Sequence, residues 1–207
     1  LAALIADATI GGRIISACVL AIAAAVTALF IKKRSSLSIH KREALLLMTV
    51  VGVLFVTLTE ISGTFLGFYK NPYFMNADVL VSGFIPITVI IITIEIIRSV
   101  ILAQKNRTAS FLCYISCVIA DVMMHLGVIR EMNVNAFMDL VGLTLLPAIT
   151  ANILYHYVSK RFGILPNVSF RIITTLYIFF LPMTTAMSNS ITALIKLLLP
   201  IAVIAFL

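Results

Sequence analysis

The chain has 207 residues, 62% of them hydrophobic and 11% charged, against roughly 25% charged in an ordinary soluble domain. Its mean hydropathy is +1.16, and so few polar residues cannot coat a globule, which excludes a soluble enzyme or binding module. The net charge of +7 would suggest nucleic acid in a soluble chain, but here the basic residues cluster between apolar runs, so the expected partner is a bilayer with anionic lipid headgroups and not nucleic acid.

The expected fold is all-α: a polytopic integral membrane protein, one membrane domain over 1–207, with about seven transmembrane helices. The spans are read at approximately 14–31, 44–68, 79–102, 110–129, 136–158, 168–187 and 191–207. The alternating segments of about ten residues that mark a membrane β-barrel do not occur.

In chain order, the weakly polar segment Leu1–Gly12 is expected to be a partial helix or an interfacial arm. The first span, Ile14–Ile31, is rich in alanine, and small residues permit close helix contact in lipid. A chain that starts at Leu1 and not at Met is expected to be processed or cut from something longer, and no clear targeting peptide leads it. Lys32–Glu43 reads KKRSSLSIHKRE and is the strongest positive-inside signal, so the 32–43 loop is placed in the cytoplasm. The span from Ala44 carries Glu60. Tyr69–Asp78 combines aromatics at the membrane edge with an Asn–Pro turn signal.

Val79–Leu102 is the strongest run and contains Glu95 and Arg98, three apart and so on one helical face. Pro86 predicts a kink in it. The fourth span holds Asp121 and His125, four apart on one face. The fifth holds Asp139, Pro147, Asn152 and His156. Gly163 and Pro166 break the chain before the sixth span, which contains Pro182. The last run, Ile191–Leu207, carries Lys196 and Pro200 and is read as a full span, a re-entrant arm or a short helix.

The loops assigned inside carry Lys32, Lys33, Arg34, Lys41, Arg42, Lys105, Arg107, Lys160, Arg161 and Arg171. The other side carries Arg13, Lys70 and Arg130. This bias predicts a multi-pass protein of the cell membrane with its N-terminus outside. At 1.5 Å of rise per residue, Glu60, Asp121, His125 and Asp139 are expected to form an outer-half layer. Glu95, Arg98, Asn152 and His156 are expected to form an inner-half layer.

A charged group at such depth must be paired, protonated or facing protein. Glu95 with Arg98 is read first as a structural ion pair. Asp121 with His125 fits a helix-packing hydrogen bond, proton or substrate handling, or half of a metal site, although zinc asks for three or four ligands. Glu60 is the best single functional candidate by cost and should have a basic partner or carry a proton. Cys18, Cys113 and Cys117 all fall in apolar runs as buried thiols, without zinc or haem spacing. No HExxH, GxSxG, Walker or Rossmann pattern occurs, so no catalytic residue, metal or cofactor is assigned.

The run GFYKNPY at Gly67–Tyr73, then Glu95–Arg98, Leu146–Pro147 with Asn152, Gly163–Pro166, Arg171 and Leu181–Pro182 together resemble the multi-span membrane region of signal peptidase I-like proteins. The resemblance covers the chain from about Ile14 onward. It implies a membrane part that follows an extracytoplasmic serine peptidase domain, with no position here for that family's catalytic residues. It further implies a role in anchoring or substrate presentation, with a membrane or secretory protein as partner. The competing expectation is a small ion-coupled transporter or channel using its buried carboxylates, with Glu60, Asp121 and His125 converging on a water-accessible cavity near the midplane and Pro86 and Pro147 breaking helices beside it. An intramembrane enzyme ranks last and would need a nucleophile and a base within about 3.2 Å of each other.

Overall fold

A computed structural model describes residues 10–30, 40–71, 74, 80–104, 106–126, 137–138 and 140–207. Among these, the helices are α1 (Ile10–Phe30), α2 (Lys41–Leu66), α3 (Ile85–Ala103), α4 (Arg107–Leu126), α5 (Leu146–Phe162), α6 (Ile164–Leu176) and α7 (Asn189–Phe206). Two short strands, β1 (Phe68–Lys70) and β2 (Met183–Thr185), pair antiparallel with Phe68 opposite Thr185. The architecture is all-α in bulk, with this one strand pair as an addition that hydropathy did not announce.

Four helices are long and apolar enough to cross a membrane: Lys41–Leu66, Ile85–Ala103, Leu140–Phe162 and Asn189–Phe206. Shorter apolar helices cover Ala17–Thr27 and Ile164–Phe179. Large side chains such as Ile22, Leu46, Leu58, Phe65 and Phe206 stand exposed along these helices, and Phe111 does so on α4. That pattern gives the chain a helical, membrane-associated character, since lipid is a good solvent for such a surface. The seven apolar runs therefore all contain helix, but among the described residues four helices meet the length and hydropathy of a span.

Two helices begin with a break. A π-helical turn at Leu80–Phe84 runs into α3, and another at Leu140–Leu145 runs into α5. Pro86 and Pro147 stand in the first turn of the α-helices that follow. A proline withholds one N–H from the helix ladder. A π turn shifts bonding to residues five apart and lets the neighbouring amides take up the carbonyl left over. The irregularity near Pro86 is thus a π turn just ahead of it.

The sixth run is redrawn. Its helix starts at Ile164, not 168, because Gly163 at φ 90° turns the chain between α5 and α6 in one residue, a conformation open mainly to glycine. It ends in a 3-10 turn, Tyr177–Phe179, and not at 187. Pro182 disfavours helix at the residue before it. The Asn71 side-chain amide donates to the carbonyls of Ile178 and Leu181, and the Asn71 N–H reaches the Pro182 carbonyl. These bonds satisfy carbonyls that a continuing helix would have used. At the start of α7, Ser188 accepts a bond from the Ile191 N–H, an N-cap.

The core has two parts. Ala44 and Met48 of α2 meet Leu154, Tyr155, Val158 and Phe162 of α5, Phe170 of α6 and Val203 of α7. Ala17 of α1 meets Ile90 and Ile94 of α3 and the free thiols Cys113 and Cys117 of α4. Cys18 is exposed, unlike its expected burial. In lipid such packing gains dispersion contact and not escape from water. Gly52 lets α2 approach Ile173 of α6, since a Cβ there would stand 3.3 Å from its side chain. Thr49 and Ser169 share a hydrogen bond across the same seam at 2.6 Å.

Candidate functional site

Where α3, α4, α5 and α6 meet, two carboxylates and two guanidiniums are collected. Glu95 and Arg98 lie on α3 and Asp121 on α4. Asn152, Tyr155 and Ser159 lie on α5, and Asn167 and Arg171 on α6. Glu95 is 0% exposed, Arg98 1%, Asn152 1% and Asn167 0%.

Arg171 is the bridge. Its Nη1 donates to Glu95 Oε1 and its Nη2 to Asp121 Oδ1, each at 2.9 Å. Arg98 stands 3.4 Å from the same Glu95 oxygen and donates through Nη2 to Asn152 Oδ1. The Asn152 amide in turn donates to Asp121 Oδ2 at 2.7 Å and to the Ala148 carbonyl at 2.9 Å. On the far side of Glu95, Oε2 accepts from Asn167 Nδ2 at 2.9 Å and from the Ser159 hydroxyl at 3.3 Å. The Asn167 amide also lies 2.7 Å from the Tyr155 carbonyl. Both cations lie over the Tyr155 ring, with the Arg98 guanidinium 5.3 Å and the Arg171 guanidinium 4.9 Å from its centroid.

The charges of this quartet cancel. Each cation is held by a carboxylate, an amide or an aromatic face, which is what allows four ionic groups to share a low-dielectric interior. Removing one partner would strand the rest. The side chain of Asp121 is 16% exposed and is the most open of the four. The cluster therefore has one edge turned towards its surroundings.

The hydrogen bonds do not follow the two expected layers. Asp121, assigned to the outer layer, joins Glu95, Arg98 and Asn152. His156, assigned with them, instead bonds Ser110 of α4, with Nε2 and Oγ 2.8 Å apart, while the Tyr114 ring meets it edge-on. Glu60 joins neither group. It is half-buried on α2, and its Oε1 has no hydrogen-bond partner among the described residues, so the expected basic partner is not found there. Asp139, the side chain of His125, Lys105, Arg130 and the basic residues Lys32–Arg34 lie outside the described residues.

Arg171, Asn167, Ser159 and Tyr155 were not singled out as site residues by the sequence. The charge count places Arg171 in an inner loop, and the structure buries it in the core. The signal available was spacing. Asn167 with Arg171, and Tyr155 with Ser159, are polar pairs four apart inside apolar helices.

Ser110 and His156 satisfy the distance asked of a nucleophile and its base. The first-turn amides of α4 that could serve an oxyanion are taken: those of Thr108 and Ala109 point to the Asn106 side chain. The pair acts as an interhelical hydrogen bond. No three His, Cys, Asp or Glu side chains converge among the described residues.

No family model matches the chain, and no characterised protein or solved structure matches it. What stands is a helical, membrane-associated domain with a charged and polar network buried between its helices.

Proposed function

We propose that this chain is the membrane domain of a small ion-coupled carrier, with Glu95 and Asp121 as the carboxylates whose charge governs its conformation. The observation that carries this reading is the Arg171 bridge. One guanidinium holds two acids on two different helices, so adding a proton at Asp121 removes the charge that holds Nη2 and loosens α4 from α6. The open edge at Asp121 gives the ion an approach. The π-helical turns before α3 and α5 support the reading, because broken apolar helices flank the ion sites of many carriers.

The test is reconstitution into liposomes under an imposed pH gradient, with an entrapped pH-sensitive dye. The protein should dissipate the gradient faster than empty liposomes, and Asp121→Asn should abolish the difference while the protein stays folded. Equal rates with and without wild-type protein would reject the reading.

A second reading follows the resemblance to signal peptidase I-like proteins: an accessory or anchoring domain that presents a secretory partner. One observation favours it. Both oxygens of Glu95 and both of Asp121 are already engaged by helix partners, as in a purely structural network. Under this reading a folded variant with Glu95, Arg98, Asp121 and Arg171 all replaced by apolar residues keeps its partner function. Under the carrier reading it is inert.

A further inference from the structure

At one end of the bundle, residues of α2, α5 and α7 line a cavity of about 500 Å³. Its walls are Ala44, Leu47, Phe162, Phe206 and Leu207, and its mouth carries His40, Glu43 and Arg161. The walls are apolar and the mouth is polar, an amphipathic shape. The chain positions around the mouth are basic: Lys41 and Arg42 open α2, and Lys160 and Arg161 close α5. The mouth also holds an acid, Glu43, hydrogen-bonded to His40 at 2.7 Å, and the four basic side chains outnumber it. Arg161 lies over the Tyr157 ring at 4.9 Å, and no carboxylate pairs with it among the described residues. This is also the end at which the charge bias places the cytoplasmic leaflet, whose lipids include anionic headgroups.

We propose that this cavity is a binding site for an anionic phospholipid, with the headgroup phosphate on Arg161 and the first part of an acyl chain against Leu47, Phe162 and Phe206. Charge complementarity selects the occupant. A neutral detergent or a second apolar helix would leave Arg161 without a counter-charge, whereas a phosphate supplies it and the chain that follows covers the apolar walls. The site lies apart from the Arg171 bridge and does not depend on the carrier reading.

The chain has no tryptophan, so Phe206→Trp places a single fluorophore at the cavity wall. The protein is reconstituted in phosphatidylcholine vesicles containing a minor fraction of lipid brominated on its acyl chains, either phosphatidylglycerol or phosphatidylcholine. Brominated phosphatidylglycerol should quench the tryptophan as though enriched about fivefold over its bulk fraction, the factor one basic side chain contributes beside anionic lipid. Adding Arg161→Gln, an exposed change that leaves the fold intact, should bring the two lipids to equal quenching. Equal quenching in the single variant would overturn the proposal, as would a preference that survives Arg161→Gln. Loss of the preference on adding millimolar glycerol phosphate would also overturn it, because the site would then recognise free phosphate and not lipid.

Discussion

Glu60 and Glu95 sit in comparable apolar helices, and on hydropathy grounds they are equally expensive. The structure treats them differently. Glu95 is fully buried and engages Arg98, Arg171, Ser159 and Asn167 from three helices. Glu60 is half-buried, with one oxygen unbonded among the described residues, and it faces the side of α2 near Tyr177 and the strand pair. The lesson is that depth does not set the consequence of an intramembrane acid. The number of helices that depend on it does.

The sharpest way to break this contrast is Glu95→Gln. It leaves Arg98 and Arg171 buried with one counter-charge between them. The expected loss is about 3–5 kcal/mol, read as a lower midpoint of thermal unfolding in detergent. Replacing all four charged members by apolar residues of similar volume should be neutral or stabilising by up to about 4 kcal/mol, which would show that the single change injures by stranding charge. Asn167→Leu keeps the charges but takes a donor from Glu95 and from the Tyr155 carbonyl. It should cost about 1–3 kcal/mol in the same assay. Ser110→Ala removes the hydrogen bond to His156 outside the network and should cost about 0.5–1.5 kcal/mol. Glu60→Gln should change stability by no more than about 0.5 kcal/mol. A loss from Glu60→Gln as large as that from Glu95→Gln would erase the distinction.

The class of the fold was legible because 62% hydrophobic residues leave few alternatives. Glu95 and Arg98 were legible because their spacing puts them on one face. The link from Asp121 to Glu95 and Arg98 was not legible because depth is counted along separate upright rods. From the inner helix ends, Asp121 lies about 21 Å in, Asn152 about 15 Å and Arg98 about 8 Å. Long arginine side chains and an amide chain span that difference, and a depth count has no term for reach. Arg171 was misread because the one-residue turn at Gly163 starts α6 four residues earlier than the breakers suggested, which draws Arg171 from the loop into the bundle. The strand pair was invisible for a related reason. Three residues carry too little pattern, and their pairing needs the chain end of α6 to be brought beside them, which a neighbouring side chain helps to fix.

That side chain is Asn71, and its bonds to Ile178 and Leu181 have an evolutionary corollary. An amide at position 71 and an imino acid at position 182 solve one problem jointly, across more than a hundred residues of chain. Neither is useful alone, so descendants of this sequence should exchange them together: where the proline gives way to a residue that continues the helix, the asparagine is released from its duty and free to drift.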